Sequence, residues 1–505
     1  MAKLTKNCYL NGRKIFSLNN RSLINYQSLN EVLIMQFNMI INGKKIDTEH
    51  HFNVYNPATE EVVAQCPTAT EENLNAAVVA ARQAFPAWSS TSDDYRKEKI
   101  NALADIISDN MNELAQLITQ EQGRPLDGMG FGSFAEVGGS EYWTRCTAEL
   151  TLPIEIAEET DTHRAEIHRK PLGVVASITP WNFPLLIAIW HVIPAIRSGN
   201  TVVIKPSSLT PLVALRFVEL AQAVLPPGVL NIITGEGGMG RLMTSHPDID
   251  KIVFTGSTPT GKNIMKNASD SLKRLTLELG GNDAAIILPD VDVKANAKAI
   301  FEAAFINNGQ TCAALKRLYV HEDIYEQMCE ELTAIANTIT VANGMEEGAQ
   351  LGPIQNRDQF NLVRELVDDA KNSGARILTG GDAPEGPGYF YPVTLVADIS
   401  DGTRLVDEEP FGPALPIIKY SDVEDVLQRA NDNPNGLGGS VWSANKAQAL
   451  ALAKRLECGT AWINNHASLS PNVPFGGVKE SGVGVEFSMH GLKEYTSIQS
   501  VVIPK

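Results

Sequence analysis

A fold of two α/β domains, each on a mostly parallel sheet, is what the sequence predicts, and three observations carry it. After Lys170 short apolar runs alternate with longer helical patterns, and a second alternation of the same kind begins near Ala284–Leu288. The chain has 505 residues, 43% hydrophobic and 20% charged, which supports more than one buried core. Strands spaced by helices imply βαβ units, whose strand ends are where dinucleotides bind.

The elements follow in order. The first 34 residues carry Lys3, Lys6, Arg13, Lys14 and Arg21 against a single acid, Glu31. They lack the Arg-rich amphipathic pattern of an organellar targeting peptide. The expectation is that residues 1–35 are an over-extended start outside the fold, with Met35 or Met39 as the first residue. Residues 39–47, MIINGKKID, read as a first strand and turn. From Thr70 to about Ala148 the pattern is helical. Thr70 caps a helix through Ala76, Ala77, Ala80 and Phe85, and Ser92 starts another through Ile100, Leu103 and Ile107. Strands are expected at Gly173–Ile178, Thr201–Lys205, Leu230–Ile233, Lys251–Thr255 and Arg274–Leu277. The second series holds Ala284–Leu288, a helix over Asp292–Asn307, and Arg317–Val320, and it runs to about Ile463. Tyr495–Ile503 reads as a short apolar strand that pairs with another element or another subunit.

Composition excludes several partners. Lys and Arg number 42 against 59 Asp and Glu, a net charge of −17, which argues against nucleic acid and anionic membranes. The most apolar stretch, Phe183 to Ile196, is interrupted by Pro184, His191 and Pro194 and falls short of the roughly 20 apolar residues of a spanning helix. Cysteines at 8, 66, 146, 312, 329 and 458 form no C-x-x-C pair, so neither a disulfide framework nor a thiolate zinc site is indicated. A reducing, cytoplasmic setting is expected.

Four segments have the residue types of chemistry. Gly256-Ser-Thr-Pro-Thr-Gly261-Lys262-Asn263 follows a strand and opens a helix, a place where backbone N–H groups hold phosphate. It nearly matches a P-loop, but Asn263 stands where a hydroxyl would meet magnesium and Pro259 lies inside the loop. A nucleoside triphosphatase using Gly256–Lys262 and a plain strand–helix turn both stay open on this loop alone. Glu278 stands between Leu277 and Leu279 before two glycines, and a carboxyl in apolar company is disposed to proton transfer. On local sequence alone it reads more readily as a strand-end carboxylate that reaches solvent or caps a helix. Cys312 lies in the polar turn Asn307-Asn308-Gly309-Gln310-Thr311, as a nucleophile or as a packed thiol. Asn182, in Thr179-Pro180-Trp181-Asn182-Phe183-Pro184, is a fixed amide donor for an oxyanion or an ordinary turn asparagine.

Taken together, Pro180-Trp181-Asn182, Phe254-Thr255-Gly256-Ser257, Leu277-Glu278-Leu279-Gly280-Gly281, Gly309-Gln310-Thr311-Cys312, Glu408-Glu409-Pro410-Phe411-Gly412-Pro413 and Pro474-Phe475-Gly476-Gly477 resemble the motif set of the NAD(P)-dependent aldehyde dehydrogenase superfamily. The resemblance spans about residues 36 to 505. It implies an aldehyde-dehydrogenase-like α/β fold with a cofactor domain over 36–148 and 169–277, a catalytic domain over 278–485, and a small β oligomerisation arm over 149–168 and 486–505. A homodimer or homotetramer follows from such an arm.

The resemblance also implies the reaction and its residues. Cys312 would attack an aldehyde, Asn182 and the Cys312 backbone N–H would hold the oxyanion, and Glu278 would activate the water that hydrolyses the thioester to a carboxylic acid. NAD or NADP would be contacted by Ile178, Thr179, Pro180, Trp181, Lys205, Ser208, Gly238, Phe254, Thr255, Gly256, Ser257, Leu279, Glu409 and Phe411. Lys205 and Ser208 match positions near the adenosine ribose, Ser257 the pyrophosphate, Glu409 the nicotinamide ribose and Phe411 the wall beside the nicotinamide ring. Ser208 stands where many NAD-preferring members carry Glu, which leaves room for a 2′-phosphate beside Lys205. Asn282 and His191 stand at frequent Lys positions, and His191 is expected to be a packed helix histidine. The substrate pocket would be lined by Phe131, Phe134, Trp143, Leu186, Trp190, Thr311, Ala313, Leu469 and Phe475, an apolar set that favours an aliphatic or aromatic aldehyde over a dicarboxylic semialdehyde. A non-catalytic relative would typically lack Cys312, Glu278 or Asn182, and all three are present.

Overall fold

The structure is a computed structural model and describes residues 35–505. The expected leader, apart from Met35, lies outside the described residues. Strands Met39–Ile41 and Lys44–Ile46 form a hairpin across Asn42 and Gly43, both with positive φ (52° and 75°). Asn-Gly suits that turn because both central residues must be left-handed. Helix Glu71–Ser89 starts from the Thr70 capping box, and Asp93–Asp109 from Ser92, whose hydroxyl accepts from the Tyr95 N–H.

The first large sheet has eight strands in the order Gly482–Val483, Arg274–Glu278, Lys251–Thr255, Val174–Ile178, Thr201–Lys205, Leu230–Ile232, Met39–Ile41, Lys44–Ile46. The five from Arg274–Glu278 to Leu230–Ile232 are parallel. Their unbroken apolar runs have a physical reason, since both faces of a parallel sheet are covered. Val175, Val202, Ile204 and Val253 face one core, while Val174, Ala176, Val203 and Ile252 face the other. Gly482–Val483, from the segment expected to be catalytic, pairs with Leu277 and Glu278 on this sheet.

The second sheet has seven strands in the order Arg376–Thr379, Thr394–Ile399, Ala414–Tyr420, Leu315–His321, Asp283–Ile287, Gly438–Trp442, Thr460–Ile463. All but the first pair are parallel. Chain order reverses direction at Val174–Ile178 in one sheet and Asp283–Ile287 in the other, and such switch points open a crevice at the strand ends. Strands Glu155–Glu159, His163–Pro171 and Thr496–Pro504 form a separate antiparallel sheet, and His163–Pro171 runs past the expected boundary at 168. Among the described residues, no helix is long and apolar enough to cross a membrane, and no cluster of side chains suits a metal ion.

One buried ion pair braces the crevice. Arg124 Nη2 lies 2.5 Å from Glu136, and neither side chain is exposed by more than 2%. Glu136 accepts from the Leu185 and Leu186 N–H groups, at the start of helix Leu186–Arg197, and Arg124 lies 4.5 Å from the centre of the Phe183 ring. Removing one member of such a pair leaves a lone buried charge, which costs about 3–5 kcal/mol. Arg124→Met should therefore lower the urea midpoint strongly at pH 7.5, and less near pH 5, where Glu136 can take up a proton.

Candidate active site

The carboxyl edge of the first sheet faces the amino edge of the second. Strand Arg274–Glu278 ends on Glu278, and only Leu279 to Asn282 separate it from the start of Asp283–Ile287. At Gly281 an added Cβ would lie 2.5 Å from the Cys312 carbonyl oxygen, so glycine lets the two turns touch. The Cys312 turn is built from three consecutive left-handed residues, Asn307, Asn308 and Gly309 (φ 51°, 57°, 74°). Asn tolerates this conformation and Gly adopts it freely. Asn308 Nδ2 donates to Gly352 O at 2.9 Å, and Gln310 Oε1 accepts from the Gln355 N–H at 2.8 Å, which fixes the turn.

Asn182 is locked to this turn from two directions. Its Nδ2 donates to Gln310 O at 3.0 Å, while its own carbonyl accepts from Asn307 Nδ2 at 3.0 Å and Arg124 Nη2 at 2.9 Å. Cys312 is half-buried, and its thiol is pushed up to about 12: burial raises it, Lys316 opposes, and Glu409, Glu278 and Asp283 add to the rise. Glu278 is buried, with neither carboxyl oxygen hydrogen-bonded, and it is held well above the usual carboxylate range by burial and then by Glu486. In both groups burial favours the neutral form over the charged one.

The other expected residues line the same crevice. Ile178, Thr179, Lys205, Thr255 and Glu278 end neighbouring parallel strands, and Gly256 and Ser257 lead into helix Thr258–Ala268. Lys205 is buried and donates to Pro206 O alone at 3.1 Å; burial brings it down to about 8, against the pull of Glu236. The Thr179 hydroxyl is buried without a partner. Gly238 and Ser257 are exposed at helix starts, Ser208 is half-buried just past Lys205, and Leu279 packs against Gly261. Trp181 meets Phe411 edge-on at 5.3 Å, and Glu409 reaches the space left by Gly280, where a Cβ would lie 2.5 Å from its Oε2. A buried cation with spare donors and an orphan hydroxyl at strand ends suit an anionic, hydroxyl-bearing ligand. Lys262, the cation of the alternative triphosphatase reading, is exposed and paired with Glu480 at 2.7 Å.

The chain matches the aldehyde dehydrogenase family model over residues 45–501. It belongs to the aldehyde dehydrogenase family. It is 39% identical to a phenylacetaldehyde dehydrogenase of Pseudomonas fluorescens over 96% of this chain and 99% of that one. It is 36% identical to a chloroplastic betaine aldehyde dehydrogenase of Beta vulgaris, over 89% and 92% of the two chains. An NAD+ complex of aldehyde dehydrogenase from Bacillus cereus superposes with a TM-score of 0.88 at 35% identity, covering 93% of this chain and 97% of that one. Betaine aldehyde dehydrogenase from Staphylococcus aureus with NAD+ gives a TM-score of 0.88 at 32% identity, over 92% and 94%. The chain is thus an enzyme that oxidises an aldehyde with NAD(P)+, which replaces both the triphosphatase and the non-catalytic readings. The buried Lys205 ammonium and the Thr179 hydroxyl fit such a dinucleotide.

In this aldehyde dehydrogenase the expected pocket assembles only in part. Cys312 and Leu469 pack against the cluster of Ala313, Leu437, Trp462 and Phe475, while Phe131 and Trp190 pack against Phe183, Leu186 and Ile187. Phe487 joins them: its ring lies 4.7 Å from Trp190, 5.6 Å from Trp143 and 5.9 Å, stacked, from Phe475. Thr311 is buried, with its hydroxyl on Ile306 O. Phe134 and Trp143, both on helix Ser133–Ala148, also pack against the core that includes Val137.

Sequence reasoning missed Phe487, Glu486 and Lys316. His191 is buried as expected, yet it is a polar hub: Ser177 Oγ and Thr255 Oγ1 each lie 3.0 Å from its ring nitrogens, and Glu486 Oε1 lies 3.3 Å away. The available signals were Phe487 and Glu486 beside a glycine-rich turn, and a lysine inside the apolar strand Leu315–His321. Because the Cys312 thiol loses its proton only as pH rises, iodoacetamide labelling of Cys312 in the cofactor-free protein should be slow at pH 7. It should speed up about tenfold per pH unit between pH 7 and 9, read by mass spectrometry.

Proposed function

We propose that Cys312 is the nucleophile, Asn182 the oxyanion donor and Glu278 the base for hydrolysis, acting on an uncharged aromatic or aliphatic aldehyde to give the free acid. The observation that carries this reading is the convergence of a thiol, a carboxyl and an anchored amide at one crevice, with Asn182 tied to the Cys312 turn. The Cys312 thiolate attacks the aldehyde carbon, and the resulting thiohemiacetal oxyanion is met by the Asn182 amide and the Cys312 N–H. A nicotinamide cofactor held in the crevice would supply the hydride acceptor, and loss of hydride from the thiohemiacetal leaves a thioester on Cys312. Glu278, once ionised, draws a proton from water as the water attacks the thioester; the C–S bond breaks, the acid departs and the thiol is restored.

Three further parts of the reading rest on particular residues. The rings of Trp143, Trp190, Phe475 and Phe487 suit an aromatic side chain, in keeping with likeness to a phenylacetaldehyde dehydrogenase. Ser208 beside buried Lys205 accommodates NADP as well as NAD. Strand Thr496–Pro504 is the free edge of its sheet and exposes Ile498, Val502 and Ile503, which supports a homodimer or homotetramer. A cytoplasmic setting completes the reading.

Cys312→Ala should abolish cofactor reduction across a panel of phenylacetaldehyde, aliphatic aldehydes and a dicarboxylic semialdehyde assayed with NAD+ and NADP+; retained reduction overturns the nucleophile, and preference for the semialdehyde overturns the pocket. Glu278→Gln should lower kcat about 10²–10⁴-fold while a burst near one reduced cofactor per subunit persists. Since Glu278 must lose a proton that burial and Glu486 help it keep, kcat of the unmodified enzyme should rise with pH through the neutral to alkaline range. Light scattering should give about two or four times the 54.8 kDa chain mass.

A further inference from the structure

Lys316 lies on strand Leu315–His321, in the middle of the second sheet, and it is buried. Alternation along the strand separates it from Arg317. The Arg317 guanidinium bonds Asn282 O at 2.8 Å and Ala430 O at 2.9 Å. Lys316 Nζ turns to the nucleophile, 2.6 Å from Thr311 O, 2.8 Å from Cys312 O and 2.9 Å from Glu409 Oε1. Thr311 O and Cys312 O accept hydrogen bonds from the ammonium, and the Glu409 carboxyl lies within ion-pair distance of it. The Phe411 ring lies over the same nitrogen, 5.5 Å to its centre. A buried cation costs several kcal/mol unless it is paired, so its place under the reactive turn calls for a role beyond packing.

We propose that Lys316 is a positioning residue for the cofactor half of the site, pinning the Cys312 turn to Glu409 and holding that side chain as a carboxylate, an acceptor for cofactor hydroxyls. The inference rests on the proposed role of Glu409 in cofactor binding. Burial pushes Glu409 above the usual carboxylate range and Asp283 adds to this; Lys316 chiefly opposes it, with the Gly281 N–H. Cys312 faces the same pair, and Lys316 is the one influence that favours its thiolate. Without the ammonium, the burial that favours protonated Glu409 loses its main opponent, the carboxylate acceptor is weakened, and the Cys312 turn loses two carbonyl anchors.

The test measures NAD+ and NADP+ dissociation constants by calorimetry on the full chain, as the ratio of variant to unmodified protein, because Lys205, brought down to about 8 by burial, is common to both and its own pH dependence cancels. For Lys316→Met the ratio should be about tenfold at pH 6.5 and shrink toward one by pH 9, as Glu409 ionises. Adding Glu409→Gln to it should remove that pH dependence and bind no more weakly than Glu409→Gln alone. The double variant carries no lone buried charge, so it remains a test where Lys316→Met fails to fold. A ratio that is flat with pH while Glu409→Gln binds weakly overturns the proposal alone, as does further weakening in the double variant. Wild-type affinity in Glu409→Gln overturns the Glu409 reading itself, and the proposal with it.

Discussion

The backbone carbonyl of Asn182 is the joint on which the crevice depends. It accepts from Arg124, which is paired with Glu136, and from Asn307, at the head of the Cys312 turn, while its own side chain donates back to Gln310. The first sheet ends where Thr179 begins that segment, and the second sheet begins just after Cys312. A few hydrogen bonds thus hold two independently packed sheets in register at the point of chemistry. The amide is fixed before any substrate arrives, which is the condition for electrostatic stabilisation without reorganisation.

Around that joint the site manages buried charge. Glu278, Glu486 and Asp283 are buried and Glu409 is half-buried; Lys316 lies beside Glu409, and the His191 ring lies 3.3 Å from Glu486. Burial and the neighbouring carboxylates both favour the neutral forms of the Glu278 carboxyl and the Cys312 thiol. Arg124 with Glu136, and Lys316 with Glu409, show the same solution on either side of Cys312, each cation placed against a carboxylate and against the backbone of a working segment.

Much of this was legible in the residue order. Thr70 and Ser92 announced their helices because caps act locally, and the unbroken apolar runs at 174–178, 201–205 and 251–255 announced a covered parallel sheet. Six short motifs in order pointed to the family, which the match over residues 45–501 establishes. Phe134 and Trp143 both pack against the first domain's core, a contact that the resemblance naming them for the pocket does not itself express. His191 was read as mere packing because Glu486, Ser177 and Thr255 come from distant parts of the chain. Lys316 was passed over because its three partners, though two are near in sequence, converge only when the strand is buried and Glu409 folds back beside it.

By itself the sequence determined the α/β alternation, the helix caps, the family and the candidate nucleophile, since these depend on residue type at short spacing. The tertiary structure alone decided the raised proton affinity of Cys312 and Glu278, the ring cluster around Phe487, and the ionic tie between Lys316 and Glu409. Desolvation and charge–charge coupling are set by neighbours that the chain brings together only on folding, and no local spacing encodes them.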